Sequence, residues 1–366
     1  MTWNPAQAYN DLPPLPPAKE LETVRVLKQC IKSRTALANL NQAAGFLPNR
    51  SLLINILPLL EAKASSEIEN IVTTTDSLFK SSLTGTTFDP ATKEAMNYRH
   101  ALYAGYRSLE TTPLCTNTAE QICSEIKHCE MKIRQVPGTT LRNDLTGETI
   151  YTPPVGEDLL REKLANWERF IHDTDSDLDP LVVMAVSHYQ FEAIHPFTDG
   201  NGRTGRIINL LYLISAGLLD TPILYHSRSI IKRKAEYYKN LNRVTSAGDW
   251  QSWILYILET VEDAALWTNH KISEIRNLKR STKAWLKENA SKIYSAELLD
   301  VLFSQPYCRI QDLVDAGVAK RQAASTYLHS LIELGILEEE KVGREKLFIH
   351  KNFLALLLNE SDVPTQ

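Results

Sequence analysis

The sequence lacks several features that mark whole classes of protein. Its five cysteines are odd in number and scattered, and no two of them form a CxxC pair. This argues against a zinc site or a disulfide framework and favours free thiols in a reducing compartment. No apolar run approaches the ~18 residues of a membrane span, and the N-terminal MTWNPAQAYN has no basic segment followed by an apolar one. We therefore predict a cytoplasmic protein without a signal peptide.

A strong excess of either charge is also missing. The net charge is −4 and the pI is about 6.2, so nothing draws the whole chain toward nucleic acid or anionic lipid. The chain has 366 residues, 43% of them hydrophobic, with no internal repeat. This length predicts two or three globular domains.

Helical periodicity fills most of the chain, so the predicted fold class is mainly α. Between Thr139 and Pro154, turn residues separate two short β-prone pieces, which predicts a small β-hairpin. From about Ser295, three short helical segments precede ILEEEKVGREKLFIH, which reads as a two-strand wing. Three helices and a hairpin indicate a winged helix-turn-helix domain.

We predict three regions on this basis: an N-terminal helical region at 1–100, a central core at 101–285 and the winged helix-turn-helix domain at 286–366. The proline-rich DLPPLPP near the N-terminus is expected to lie extended over another surface. Asp179 and Pro180 are expected to be the N-cap and first residue of a central, nearly all-apolar helix.

The most informative stretch is HPFTDGNGRTGR, residues 195–206, which lies between two strongly apolar segments. It does not follow a strand, as a Rossmann turn would, and it has no Gly-Lys-Ser/Thr of a P-loop. Gly200, Asn201 and Gly202 can still turn their backbone N–H groups toward one point. Because this point lies at the N-terminus of the next helix, where the dipole favours an anion, the stretch predicts a phosphate cradle.

The charged side chains of this loop fit the same interpretation. Arg203 and Arg206 are three residues apart on one helix face, and both can reach phosphate oxygens. Asp199 is the one carboxylate of the loop, and Mg²⁺ commonly takes one carboxylate together with waters and phosphates. The unperturbed pKa of a histidine side chain lies near neutrality, so His195 is the predicted general base. Together these residues predict catalysis beside the phosphates of a nucleotide.

The loop resembles the HPFx[D/E]GNGRxxR signature of the Fic family at every specified position. The whole organisation resembles Fic proteins with an N-terminal inhibitory helix and a C-terminal winged-helix domain. The resemblance implies protein adenylylation, in which AMP moves from ATP to a Tyr, Thr or Ser hydroxyl of a target protein or of the chain itself. It also implies that the hairpin is a flap that holds the target segment by strand addition.

The resemblance assigns roles to individual residues. His195 would be the base, Asp199 would hold Mg²⁺ on the α- and β-phosphates, and Phe197 would anchor the loop. Arg203 would grip the inner phosphates and Arg206 the γ-phosphate. The residues expected to bind ATP or its phosphates are Gly200, Asn201, Gly202, Arg203, Thr204, Gly205, Arg206 and, near the adenosine, Tyr238. The nucleotide donor itself is inferred from the family, since nothing in the loop reads the base.

A second stretch, SSEIEN at 65–70, resembles the inhibitory motif [S/T]xxxE[G/N] of the family. Ser65 and Glu69 would share one helix face, and Asn70 fills the last position. Glu69 would pair with Arg206 and take the place of the γ-phosphate, giving inhibition within one chain. The same glutamate supports an alternative, in which it positions water and the enzyme removes AMP from modified targets.

The winged helix-turn-helix domain suggests a rival of another class, a DNA-binding regulator whose core senses a nucleotide. Lys320 and Arg321 would then begin the recognition helix. However, the segment from Ser291 to His350 has seven basic and nine acidic residues, a net charge of −2. Because DNA-binding modules need a basic footprint, we favour protein contact or homodimerisation as its role.

Overall fold

The computed structural model describes residues 3–45, 51–86, 89–137, 139–142 and 147–359. As predicted, the chain is mainly helical, with one small hairpin in these ranges. The predicted two-strand wing is joined by a third, short strand to make a three-stranded sheet. None of the described helices is long and apolar enough to cross a membrane.

Among the residues that the structure describes, five helices precede the hairpin. They are α1 (Val24–Gly45), α2 (Ser51–Ile68), α3 (Thr75–Thr84), α4 (Pro90–Ser108) and α5 (Thr116–Lys127). The hairpin pairs β1 (Leu141–Arg142) with β2 (Thr149–Tyr151) in antiparallel fashion, as predicted. Pro58 lies inside α2 and does not end it.

The central helices surround α7, whose side chains are mostly apolar and which is buried on nearly every face. Asp179 caps α7 and Pro180 begins it, as predicted. α7 packs against α6, α8 and α11, and α11 also packs along α1. These helices are α6 (Glu157–Ile171), α7 (Pro180–Ile194), α8 (Asn201–Ser215), α9 (His226–Lys232), α10 (Lys234–Ala247) and α11 (Trp250–Asn289).

The C-terminal part has the predicted winged helix-turn-helix pattern, with the wing turning at Gly343. Its three strands pair antiparallel in the order β3-β5-β4. The elements are α12 (Ala296–Leu302), β3 (Tyr307–Cys308), α13 (Ile310–Asp315), α14 (Arg321–Glu333), β4 (Leu337–Val342), β5 (Glu345–His350) and α15 (Lys351–Leu358). The predicted boundaries at 100/101 and 285/286 fall inside α4 and α11, so the chain crosses both as helix. The division into three domains stays a prediction.

The proline-rich N-terminal segment lies extended across the core, as expected. The side-chain amide of Asn166 on α6 brackets Leu15, accepting from its N–H at 2.7 Å and donating to its carbonyl at 2.9 Å. Leu12 and Leu15 are buried. Paired backbone groups and buried leucines hold this segment without secondary structure.

Glu61 fixes α2 to the core from the middle of the helix. This buried carboxylate accepts hydrogen bonds from the backbone N–H of Ser227 at 2.9 Å and from the hydroxyls of Ser227 and Tyr98. A buried carboxylate is costly unless it is hydrogen-bonded in this way. The arrangement therefore sets where the C-terminal end of α2, with the SSEIEN stretch, meets the core.

The winged helix-turn-helix domain docks on α3, which follows the SSEIEN stretch after a few residues. Phe79 of α3 is fully buried and stacks on Tyr307, with ring centroids 5.7 Å apart. Lys80 bridges Asp76 and Glu340 at 2.7 Å each, and Arg309 donates to the carbonyl of Leu83 at 2.8 Å. An aromatic contact and several polar contacts thus join the domain to the core.

We predict that Phe79→Ala lowers the free energy of unfolding by about 3–5 kcal/mol, because it leaves a cavity at this buried joint. Leu27→Ala is the control, since Leu27 is 41% exposed on α1 and should cost no more than about 0.5 kcal/mol. Urea unfolding followed by fluorescence measures both. Equal unfolding midpoints for the two variants would contradict the packing described here.

Candidate active site

The 195–206 loop connects two helices through residues with unusual backbone conformation. α7 ends at Ile194 and is followed by its C-cap His195, whose φ is 49°, and α8 begins after Gly200, whose φ is 84°. Both lie in the left-handed region, which glycine adopts freely and histidine rarely. A non-glycine residue in this region at the end of a helix is held there by its surroundings.

Asn201 holds the loop in shape through its side chain. Its amide accepts from the N–H of Phe197 and donates to the carbonyl of Phe197, both at 2.8 Å. Phe197 itself is fully buried beside Phe191. From the sequence, we predicted a role for the backbone N–H of Asn201 only. The structure adds two side-chain hydrogen bonds across the loop.

His195 faces a cavity of about 640 Å³ and stays partly exposed to it. Desolvation by the surrounding protein lowers the pKa of His195 to about 4, and the nearby guanidinium of Arg134 acts in the same direction. The imidazole is therefore neutral at physiological pH. A neutral imidazole can accept a proton, as a general base must.

Arg134 is a structural residue of the site that sequence reasoning missed. Its buried guanidinium donates to the carbonyls of His195 at 2.8 Å and Ile194 at 3.3 Å, and also to that of Pro154. It thereby caps the end of α7 with a cation and ties the chain following the hairpin to His195. No sequence signal marks it, because its partners are 20 or more residues away.

Arg206 is buried, and the SSEIEN stretch supplies its hydrogen-bond partners among the described residues. Its Nε donates to Ser65 Oγ, while its Nη2 donates to the Ser65 carbonyl and pairs with Glu69 Oε1, each at 2.8 Å. Burial disfavours the charge, but the nearby acidic groups, with the carboxylate of Glu69 first, outweigh burial and raise the pKa of Arg206. The contacts expected between Ser65, Glu69 and Arg206 are present.

The sequence predicts that Ser65 and Glu69 lie on one helix. In the structure, the SSEIEN stretch instead spans the end of α2. α2 ends at Ile68, and Asn70 follows with a φ of 61°. Asparagine and glycine tolerate this left-handed conformation, which explains why either fits the last position of the motif. Asn70 Oδ1 also accepts from Lys234 Nζ at 2.9 Å, which ties the end of the stretch to α10.

Gly202 makes room for the carboxylate of Glu69 at the start of α8. A Cβ at position 202 would overlap Glu69 Oε1 and would lie 3.0 Å from Arg206 Nη1. The carboxylate of Glu69 therefore rests against bare backbone in the first turn of α8. This is the position where the helix dipole and free N–H groups favour an anion.

The two arginines of the loop have different partners, although the sequence predicted a common role. Arg203 is buried and pairs with Glu94 of α4 at 2.5 Å, and its Nη2 lies 3.7 Å from Asp199. Arg206 points to α2. The two side chains diverge because α4 packs beside Arg203, whereas the end of α2 packs beside Arg206.

Asp199 has an exposed side chain whose Oδ2 lies 2.5 Å from Lys127 Nζ. Partial burial alone would raise its pKa, but Lys127 and Arg203 lower it overall, so the carboxylate is ionised. No group of three or more His, Cys, Asp or Glu side chains that could hold a metal occurs among the described residues. A single ionised carboxylate fits Mg²⁺ when phosphates and waters supply the other ligands.

Six of the predicted site residues line the cavity, namely Glu69, Asn70, His195, Gly202, Arg206 and Tyr238, whereas Asp199, Gly200, Asn201 and Arg203 are not among its lining residues. Tyr238 is 44% exposed at its wall and contacts the ring of Tyr237. Thr204 and Gly205 are not among the lining residues: Thr204 is buried, and a Cβ at Gly205 would overlap Glu192 Oε1. Their contact with a nucleotide stays a prediction. The lining includes Glu69, Asn70, Leu141, Arg142, Ile150, Tyr151, Tyr189, Glu192, His195, Gly202, Arg206, Lys234, Tyr238 and Asn242.

Glu192 is a second residue that sequence reasoning missed, although a signal existed. Glu192 is the one carboxylic acid in α7. Its Oε1 is buried without a hydrogen-bond partner among the described residues, and burial raises its pKa to about 8. The carboxyl group of Glu192 is therefore neutral beside Arg206. Glu69 supplies the anionic partner of the Arg206 guanidinium.

Three family profiles match consecutive parts of the chain. The Fic/DOC family N-terminal profile matches residues 27–107, and the Fic/DOC family profile matches residues 114–213. The profile "Protein adenylyltransferase SoFic-like, C-terminal domain" matches residues 278–353. The second of these contains the 195–206 loop, and the first contains the SSEIEN stretch.

Curated relatives share part of this sequence. Protein adenylyltransferase fic-1 of Caenorhabditis briggsae is 32% identical over 110 residues, which cover 30% of this chain and 20% of the relative. Protein adenylyltransferase Fic of Nematostella vectensis is 33% identical over 112 residues, which cover 31% of this chain and 25% of the relative. The chain thus matches a fifth to a quarter of the length of these relatives.

Solved structures share the fold. A Fic family protein from Desulfovibrio desulfuricans G20 aligns with a TM-score of 0.57 at 17% identity, covering 90% of this chain and 97% of that one. Fic-1 from C. elegans aligns with a TM-score of 0.52 at 19% identity, covering 69% and 75%. At this identity the likeness establishes the fold alone.

We predict that Arg134→Ala lowers the free energy of unfolding by about 2–4 kcal/mol, because it leaves buried carbonyls without a donor. It should also speed hydrogen exchange at the amides of residues 149–152, His195 and Phe197. Arg142→Ala is the control, since Arg142 is an exposed arginine on the hairpin. Unchanged exchange in the Arg134 variant would show that Arg134 does not hold His195 and the hairpin in place.

Proposed function

Because the chain belongs to the Fic/DOC family, we propose that it is a protein adenylyltransferase. It would move AMP from ATP to a Tyr, Thr or Ser hydroxyl of a target protein. The observation that carries the proposal is that His195, Gly202 and Arg206 line one cavity, with both strands of the hairpin at the same cavity. A base, an anion cradle and a strand for the target therefore meet in one place.

The chemistry follows from the positions of these groups. The target hydroxyl oxygen attacks the α-phosphorus, and the bond to the bridging oxygen of the β-phosphate breaks as pyrophosphate leaves. His195 takes the hydroxyl proton during attack, which its neutral state allows. The N–H groups of Gly200, Asn201 and Gly202 and the guanidinium of Arg203 would stabilise charge on the phosphates.

Arg206 and Asp199 would hold the outer phosphates. Arg206 would bind the γ-phosphate once its present anion partner leaves. Asp199 would hold Mg²⁺, which neutralises phosphate charge when bound. Tyr238 would contact the adenosine from the cavity wall.

The hairpin would hold the target segment. Leu141, Ile150 and Tyr151 from its two strands line the cavity that His195 faces. The side chains of Leu141 and Ile150 are exposed, at 37% and 39%. A target strand that pairs along this edge would bring a hydroxyl toward His195 while its neighbours cover these apolar side chains.

Glu69 would inhibit transfer by holding Arg206. Its carboxylate takes the guanidinium and rests on Gly202, so a nucleotide can place its γ-phosphate there only by displacing it. A charge-assisted contact of this kind is worth ~1.5–3 kcal/mol, or one to two powers of ten in the competent population. Ser65 would strengthen inhibition by engaging the same guanidinium.

We predict that Glu69→Gly increases covalent labelling of protein by ATP labelled at its α-phosphate roughly 10- to 100-fold. Glu67→Gly is the matched control, because Glu67 lies at the same end of α2 but pairs with Lys63, at 3.2 Å, and not with Arg206. It should label as the wild type does. Equal labelling of all three proteins would count against inhibition by Glu69.

A further prediction concerns pH. In the Glu69→Gly background, kcat/KM for ATP should stay nearly constant from neutral pH down to about pH 5, because His195 stays unprotonated above its pKa of about 4. It should fall as pH approaches 4 and the base becomes protonated. An inflection near the ordinary histidine pKa of ~6.5 would contradict this.

His195→Ala should lower labelling roughly 100- to 10,000-fold at every pH while ATP still binds.

A further inference from the structure

The carboxylate of Asp199 is paired with the ammonium group of Lys127. Lys127 Nζ lies 2.5 Å from Asp199 Oδ2, and the Asp199 side chain is 60% exposed. Lys127 is the last residue of α5, and its ammonium is a compact point charge on a flexible stem. It therefore occupies a position from which a cation neutralises the only carboxylate of the loop.

Lys127 also has a second anion within reach. Its Nζ lies 3.2 Å from Glu94 Oε1, the same oxygen that accepts from Arg203 Nη1 at 2.5 Å. Glu94 is 25% exposed and belongs to α4, which packs on α5. If the ammonium left Asp199, it would keep an ion-pair partner, so its release from Asp199 costs less than breaking an isolated pair.

The loop and the end of α5 are packed so that this contact forms. Cys123 Sγ donates to the Asp199 carbonyl at 3.3 Å. A Cβ at Gly200 would lie 3.2 Å from Cys123 Sγ and 3.6 Å from the Cγ and Cδ of Lys127. The bare backbone of Gly200 therefore lies against the stem of Lys127, which aims the ammonium at the neighbouring carboxylate.

We propose that Lys127 is a tethered cation that takes the place of the divalent metal on Asp199 until a metal–nucleoside triphosphate binds. Its ammonium then moves wholly onto Glu94, and Asp199 is free to bind the metal. The inference rests on the proposed function, because it takes Asp199 as the metal-binding carboxylate. It adds that the affinity of the site for metal is set by competition with a residue of this chain.

The test is Mn²⁺ binding measured by electron paramagnetic resonance, with and without α,β-methylene ATP, which cannot release AMP. Lys127→Met removes the competing charge and should bind Mn²⁺ roughly three- to tenfold more tightly than the wild type. Lys127→Arg keeps the charge and should stay within about twofold of the wild type. Lys132→Met is the matched control, because Lys132 pairs with Glu120 and Glu130 instead.

Equal or weaker Mn²⁺ binding by Lys127→Met overturns the inference, and so does an equal gain in the Lys132 control. Failure of α,β-methylene ATP to bind any of the four proteins would count against the proposed function. Binding of α,β-methylene ATP by all four proteins without tighter Mn²⁺ binding by Lys127→Met would instead overturn the role of Lys127 alone. The two failures are therefore distinguishable.

Discussion

The site depends on a buried guanidinium that needs an anion. Arg206 is 1% exposed, and a charge taken out of water is tolerated only when it is paired and hydrogen-bonded. In this structure Ser65 and Glu69 satisfy it, and in the proposed reaction a γ-phosphate would do so. Both anions need the guanidinium of Arg206, so inhibition and substrate binding exclude each other at this one group. No long-range signal between sites is required.

The surrounding fold places these competing groups with little freedom. Glu61 anchors α2 to α9 and α4, so the end of the helix delivers Glu69 to the first turn of α8. Arg134 fixes the end of α7, and Asn201 fixes the loop between the two helices. α3, which follows Glu69 closely, carries the winged helix-turn-helix domain, so that domain is joined to the same part of the chain.

Sequence reasoning located the loop and the inhibitory stretch because their chemistry is local. Glycines beside a helix start, a histidine before them and a Ser–Glu pair four apart can be seen in the residues themselves. It missed Arg134, Glu94 and Lys127, whose roles depend on partners brought together by helix packing. Short helices such as α3 and α5 were not predicted, since they are brief, polar at many positions and stabilised by neighbours.

The most direct test of the account is calorimetric titration of the wild type and Glu69→Gly with ATP and with AMP. AMP lacks the γ-phosphate that would compete with Glu69 for Arg206, so it serves as an internal reference. The account predicts that Glu69→Gly tightens ATP binding roughly tenfold or more and changes AMP binding little. An equal effect on both nucleotides, or none, would show that Glu69 and the γ-phosphate do not share Arg206.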